Sequence, residues 1–314
     1  MSVTLNGGVT FGGGLTLTAA PPAGPTAGWF ASGRTTNPAV VSTVDRITYA
    51  TDTATASERG PLSLARYQFA AAGNTTDGWF GGGRSPSVVS TVDRITFATD
   101  TATASVRGPL SSPMYGLAAT GNATDGWFGG NGAGPASTVN RITYATDTAT
   151  ASVRGPLSTA RSDLAATGNA TNGWFAGGFP TVSTVDRITY ATDTATASVR
   201  GPLSAGRYNL AGTGNETDGW FAGGNPDSVS TVNRITYATD TATASVRGPL
   251  STRITDLAAT GDTTNGWFGG GNNGVTDSVS SVDRITFATD TATASVRGPL
   301  SLARKALSAT SGIQ

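Results

Sequence analysis

Cysteine and histidine are both absent from the 314 residues, and Lys305 is the sole lysine. Those absences remove disulfides, thiolate nucleophiles, Cys/His zinc sites, haem ligation through histidine and every histidine-based triad. With one lysine there is almost no material for phosphate-loop or Schiff-base chemistry. No cofactor and no metal are expected. Charged residues make up 13% of the chain, and 20 Lys+Arg balance 20 Asp+Glu, so the net charge is zero. Binding to a polyanion needs a basic excess, so nucleic acid is not an expected partner. No segment approaches the ~18 consecutive apolar residues of a membrane helix, and no membrane insertion is expected. The first 28 residues have neither a basic start nor a continuous apolar stretch, so they do not read as a secretory signal. Release from a cell would then proceed by another route, such as lysis. The chain is long enough for a substantial core, and too neutral and regular for charge-driven disorder.

What the chain does have is repetition. Gly-Trp-Phe recurs at Trp29, Trp79, Trp127, Trp174, Trp220 and Trp267, at intervals of 46 to 50 residues. One template runs between them: Ser-Thr-Val-Asp-Arg-Ile-Thr-Tyr, Ala-Thr-Asp-Thr-Ala-Thr-Ala-Ser, Val-Arg-Gly-Pro-Leu-Ser, Leu-Ala-Ala-Thr-Gly-Asn. A fixed period of this size marks stacked or circular units, none of which buries its faces alone. In one copy, four strand-like runs fall at 114–120, 126–130, 137–145 and 148–157. They are rich in Val, Ile, Thr and aromatics, and turn residues separate them. Asp125-Gly126 and its equivalents suit the tight hairpin between the first two runs. Asp147, in Thr146-Asp147-Thr148, suits a turn that bonds its own backbone. Nothing has helical periodicity, and Gly and Thr further depress helix.

Four strands per unit and six units predict an all-β fold, a six-bladed β-propeller of four-stranded antiparallel blades. The chain enters the template at its second strand, at Trp29, and leaves after an extra first strand at 304–310. That last strand is expected to become the innermost strand of the blade begun by residues 28–61, closing the ring without a free inner edge. Residues 28–314 form the propeller in this reading. Residues 1–27 match no template; Pro21-Pro22-Ala23-Gly24-Pro25 reads as an extended linker, and the segment as an attachment or oligomerisation element.

The diglycine after an aromatic strand, with this strand order, resembles the kelch propeller over residues 28–312. One departure is that kelch blades usually carry Trp in the fourth strand, where this chain has Thr-Ala-Thr-Ala-Ser-Val. The blocks Thr-Val-Asp-Arg-Ile, Asp-Thr-Ala-Thr-Ala-Ser-Val-Arg-Gly-Pro-Leu-Ser, Leu-Ala-Ala-Thr-Gly-Asn and aromatic-Phe-Gly-Gly-Gly, in this order and spacing, look like the repeats of kelch-like virion structural proteins of marine cyanophages. The Gly/Thr-rich N-terminus looks like a phage fibre segment. The resemblance implies a virion or tail-fibre location and other virion proteins as partners of residues 1–27; it supplies no ligand.

Several features have plain structural readings. The six Trp-Phe pairs read as core between blades. The Asp-Arg pairs (Asp45-Arg46 and equivalents) and the arginines that precede Gly-Pro read as repeated inter-strand ion pairs. Asn74, Asn122, Asn169 and Asn215 read as turn residues rather than glycosylation sites. Catalysis has little support: Asp163, Asp227, Asp256 and Asp277 are the carboxylates outside the template, and no pairing among them can be argued.

Where the repeats disagree, function is expected. The loops between second and third strands, and the connections between blades, differ in length and side chains. Both lie at one end of a four-stranded meander, while the turns at the other end are almost identical. One-sided variation on a rigid scaffold suggests a recognition face. Arg66, Arg161, Arg207 and Arg304 align at the start of the first strand, with Tyr67, Tyr115 and Tyr208 at the next position. The expectation is that these arginines ring the mouth of the central channel, and that Arg34, Arg84, Phe179 and Asn209 complete the site. Guanidinium groups for an anion and aromatic faces for sugar suit a glycan. The alternative is that these arginines only pair locally. The leading expectation is a non-enzymatic virion adhesin that binds a host-surface glycan, with homo-oligomerisation open. An architectural virion protein and a polysaccharide-degrading enzyme are the two alternatives.

Overall fold

The computed structural model of the chain describes residues 10–11, 15–16, 24–36, 39–134 and 136–311. Thr10–Phe11 pairs antiparallel with Leu15–Thr16. The rest of the expected attachment segment before residue 24 lies outside the described residues.

Six four-stranded antiparallel sheets follow one another as blades. Blade 2 runs from the inside outward as Ala70–Gly73, Asp77–Gly81, Val92–Thr96 and Ser105–Arg107. The inner strands of blades 3 to 6 are Ala118–Gly121, Ala165–Gly168, Ala211–Gly214 and Ala258–Gly261. Blade 1 is composite. Its inner strand is the C-terminal Ser308–Ser311, and its other three are Ala27–Arg34, Val40–Thr48 and Ser57–Arg59. Thr310 pairs with Trp29 as Thr120 pairs with Trp127, so the ring closes in the repeat's own register. The expected propeller and its closure are both present.

Three of the four strands are shorter than their sequence runs, and the second, Asp125–Asn131, is longer. The first run loses its opening residues to a turn, and the fourth keeps only three, such as Ser152–Arg154. The third run ends early because Tyr144–Thr146 coils into a 3-10 turn. Asp125-Gly126 is not the hairpin turn; both residues sit in the second strand. The turn is made by Asn122, whose Oδ1 accepts the backbone N–H groups of Thr124 and Asp125 at 2.9 Å each. This is the Asx geometry that Asn favours, and the reading of Asn122 as a turn residue holds. Gly126 is glycine for a different reason than turn geometry: a Cβ there would lie 2.9 Å from the Tyr144 hydroxyl and 3.1 Å from the Ala72 methyl.

Alternation along the second strand builds the core. Trp174 faces blade 5, where it stacks on Tyr237 at 3.8 Å between ring centroids. Its neighbour Phe175 faces the opposite way, into the cluster of Trp127, Val139, Leu157 and Leu164. The same stack occurs at all six interfaces at 3.8–3.9 Å, the sixth joining Trp267 to Tyr49 across the closure. The aromatic partner of each Trp comes from the 3-10 turn, so no fourth-strand Trp is needed.

The ion pairs join blades as well as strands: Arg94, Arg141 and Arg234 each lie 3.5–3.6 Å from a second-strand carboxylate of their own blade, and each also reaches the next blade. Asp147 does not fold back on its own turn. It accepts Trp79 Nε1 at 2.9 Å and Arg94 Nη1 at 3.0 Å, with Arg107 Nε at 3.4 Å, all from the preceding blade. Asp52, Asp100, Asp193, Asp240 and Asp290 make the same cluster at the other interfaces. One carboxylate thus accepts an indole and one guanidinium and lies against a second guanidinium, whose charge burial would otherwise penalise. The glycine before each Gly-Pro proline admits this neighbour: a Cβ on Gly108 would lie 2.0 Å from the Ala149 carbonyl oxygen.

Candidate ligand-binding site at the channel mouth

At the variable end each chain segment enters its inner strand through one left-handed residue. These are Gln68, Gly116, Asp163, Asn209, Asp256 and Ala306, with φ between 53° and 62°. Their backbones form a closed ring about the channel axis. Each N–H donates to the carbonyl of the preceding member: Gly116 to Gln68 at 2.8 Å, Asp163 to Gly116 at 2.6 Å, Asn209 to Asp163 at 2.7 Å, Asp256 to Asn209 at 3.0 Å, Ala306 to Asp256 at 2.8 Å and Gln68 to Ala306 at 2.9 Å. A non-glycine residue in this region is strained by roughly 1–3 kcal/mol. The ring bonds hold the strain in place, and Asp and Asn tolerate it best. Because the backbone makes the ring, its side chains are free to differ.

Those side chains line a cavity of about 670 Å³, open end included. Beneath the rim its wall is largely methyl groups, from Ala71, Ala119, Ala166, Ala259 and Ala309, with Gly212 at the sixth position. The Gln68 amide donates to Asp163 Oδ1 at 3.3 Å, and Ser162 Oγ donates to Asp163 Oδ2 at 2.8 Å. Burial pushes the Asp163 carboxyl above the ordinary range, opposed by those two hydrogen bonds and by Arg84. Burial pushes Asp256 up to about 6, opposed by Lys305 and reinforced by Asp163 and Asp277. Lys305 is itself paired with Asp277.

The four aligned arginines are elsewhere, and here the sequence expectation is corrected. Arg66, Arg161, Arg207 and Arg304 are 0–3% exposed. The left-handed residue two positions on turns the chain, so each guanidinium lies over its own blade instead of on the channel wall. Arg66 bonds the Phe80 carbonyl at 2.8 Å and pairs with Asp93 at 3.2 Å. Arg161 pairs with Asp186 at 3.1 Å, and Arg304 with Asp45 at 3.0 Å. Arg207 has Asn233 Oδ1 at 3.1 Å in place of a carboxylate. The first residue of each Asp-Arg dipeptide is therefore an internal partner for the blade's own entering chain. None of the four arginines is presented to a ligand, and the local-pairing alternative describes them.

Of the remaining candidates only Asn209 lines the cavity; Arg34, Tyr67, Arg84, Tyr115, Phe179 and Tyr208 lie at the variable end outside its lining. Tyr67 pairs with Arg84 as an isolated bridge and lies under the Arg34 guanidinium at 4.9 Å. Arg84 in turn covers Tyr115 at 4.4 Å. Tyr208 meets Phe179 edge-on at 5.6 Å, and Phe179 is 54% exposed. Asn209 is a ring member. Sequence reasoning missed Gln68, and it left Asp163 and Asp256 as unpaired carboxylates. The usable signal was the column two residues after the aligned arginine: Gln, Gly, Asp, Asn, Asp, Ala, different in nearly every copy of an otherwise constant template. Among the described residues no group of three acidic, His or Cys side chains is placed to hold a metal.

No protein-family model matches the chain, and no curated protein matches it. Among solved structures it is similar to YjhT, with 12% identity and a TM-score of 0.66 over 88% of this chain and 98% of that one. At that identity the likeness concerns the fold alone, and it agrees with the propeller described above.

Proposed function

We propose that the protein is a non-enzymatic binding propeller that holds a carbohydrate at its variable face, around the channel mouth. One observation carries this reading: a scaffold that repeats almost residue for residue changes its side chains at one end, where a cavity with a polar rim opens and Tyr67, Tyr115, Tyr208 and Phe179 lie on the same end. Aromatic faces beside convergent polar groups are the usual furnishing of a saccharide site. The resemblance of the repeats to kelch-like virion proteins of marine cyanophages supports a virion or tail-fibre location with residues 1–27 as attachment, and a host-surface glycan is the ligand proposed for that setting. With the four buried arginines withdrawn, the basic groups left near the mouth are Arg34, Arg84 and Lys305, so the ligand is not an anionic glycan held by an arginine ring.

Adsorption of the protein to host envelope fractions, together with a glycan array, tests the reading. Tyr67→Ala combined with Tyr208→Ala should reduce binding at least tenfold while the melting temperature stays close to wild type. Binding that survives those changes in a folded protein assigns recognition elsewhere. A polysaccharide-degrading activity is the second reading, favoured by the placing of Asp163 and Asp256 in one cavity; release of reducing ends that Asp256→Asn abolishes would carry it over the first.

A further inference from the structure

Resting on that saccharide reading, we propose that the channel mouth is a pocket for a protonated primary amine carried on a sugar or polyol, received by Asp163 and Asp256.

The charge inventory points to a cation. Asp163 and Asp256 both line the mouth, on blades separated by one ring member. The basic groups that bear on them are shared with other partners, Lys305 with Asp277 and Arg84 with the face of Tyr115, while Arg34 lies over Tyr67. The four buried arginines face their own blades. The Asp256 carboxylate accepts no hydrogen bond among the described residues; only its backbone carbonyl does, from Ala306 in the ring. An anionic group at the mouth would meet two carboxylates, whereas an ammonium would supply what they lack.

The acceptor set also distinguishes an ammonium from a metal ion. Calcium takes six to eight oxygen ligands. The mouth has two carboxylates with the amide oxygens of Gln68 and Asn209 nearby, and the ring carbonyls are already engaged with ring N–H groups. An ammonium has three protons to place, and two carboxylates with one amide oxygen satisfy them. The methyl wall below and the tyrosines beside the mouth suit the apolar face of a sugar ring, which a bare metal ion would leave unused.

The test uses the full chain and two probes, 2-aminoethyl glucoside and its N-acetylated counterpart, titrated calorimetrically at pH 7.5. The amine probe should bind at least tenfold more tightly than the acetylated one. Asp256→Asn and Asp163→Asn should each remove that preference while keeping the melting transition, and Arg253→Ala, a change at an exposed residue of the same face, should leave it intact. Calcium alone should neither bind nor compete. Equal binding of the two probes, an amine preference that survives both Asp→Asn changes, or competition by calcium overturns the proposal. Envelope binding that depends on Tyr67 and Tyr208 without any amine preference would overturn this inference and keep the saccharide reading. An Asp-dependent amine preference without envelope or glycan binding would do the reverse.

Discussion

Blade 5 carries a natural defect whose repair can be measured. Arg207 is 3% exposed, and burial lowers it to about 10. Its donors reach the carbonyls of Gly223 and Thr231 at 2.8 and 2.9 Å and Asn233 Oδ1 at 3.1 Å; its Nε has no partner, as is also true of Nε in Arg66, Arg161 and Arg304, so what sets blade 5 apart is the missing carboxylate. In blades 1, 2 and 4 the same guanidinium meets a carboxylate at 3.0–3.2 Å. Asn233→Asp is isosteric, and the surroundings already accept it. Ser204 donates both N–H and Oγ to Asn233 Oδ1, as Ser63 does to Asp93 and Ser301 to Asp45. The distance of Arg207 from its ordinary value is equivalent to ~3 kcal/mol at most. Desolvating the introduced carboxylate offsets part of that, which leaves a net gain of about 1–2 kcal/mol. For a domain of this size the melting temperature should rise by roughly 2–8 °C. Asp93→Asn in blade 2, which copies the blade 5 arrangement, should lower it by a similar amount. Differential scanning calorimetry at pH 7 reads both. A lower or unchanged melting temperature for Asn233→Asp would refute the argument that buried charge pairing is incomplete in this blade.

Two further outcomes follow from the same structure. Asp283 is 7% exposed, belongs to the blade that has Ile254 where four others have arginine and one has Met114, and has an Oδ1 without a partner; burial raises its carboxyl, with the Ser251 bonds opposing. A carboxyl raised on folding favours the fold in acid and loses that contribution as pH rises through its folded value, so Asp283→Asn should stabilise at pH 7 and make no difference below about pH 4, in paired melting curves. Deleting residues 302–314 removes the inner strand of blade 1 and bares the edge of Ala27–Arg34, so aggregation or loss of a cooperative transition is expected; unchanged melting would count against closure by the C-terminal strand.

The repeat made the architecture legible because its period, its count and its frame at the two ends are all sequence properties. Strand two of blade 1 begins and strand one ends the chain's circuit only if the ring closes, and Thr310 opposite Trp29 is that closure. The site was legible only as far as an end of the molecule. Arg66 and its equivalents were misplaced because strand alternation was extended through a left-handed residue that nothing in Arg-Tyr-Gln announces. Glycine occupies that position in one blade only, and in the others the strain is carried by Gln, Asp, Asn and Ala. The partner of Asp147 was equally hidden. A turn aspartate adjacent to threonines suits its own backbone, and only the arrangement of blades brings Trp79, Arg94 and Arg107 to it.

The identity of the copies at one end therefore has a physical content beyond duplication. The buried template residues there belong to contacts with the next blade. Trp stacks on Tyr or Phe, its indole and two arginines share one aspartate, and the glycine before proline makes room for the incoming turn. A change in one member leaves a buried charge or donor alone, which removes stability at two blades at once. At the mouth the coupling is different. The ring bonds are backbone to backbone, so Gln68, Gly116, Asp163, Asn209, Asp256 and Ala306 hold the same geometry with six side chains of differing size and charge. Substitution at that column changes what the channel mouth presents while leaving the ring that positions it, and this separation lets one scaffold carry a variable site.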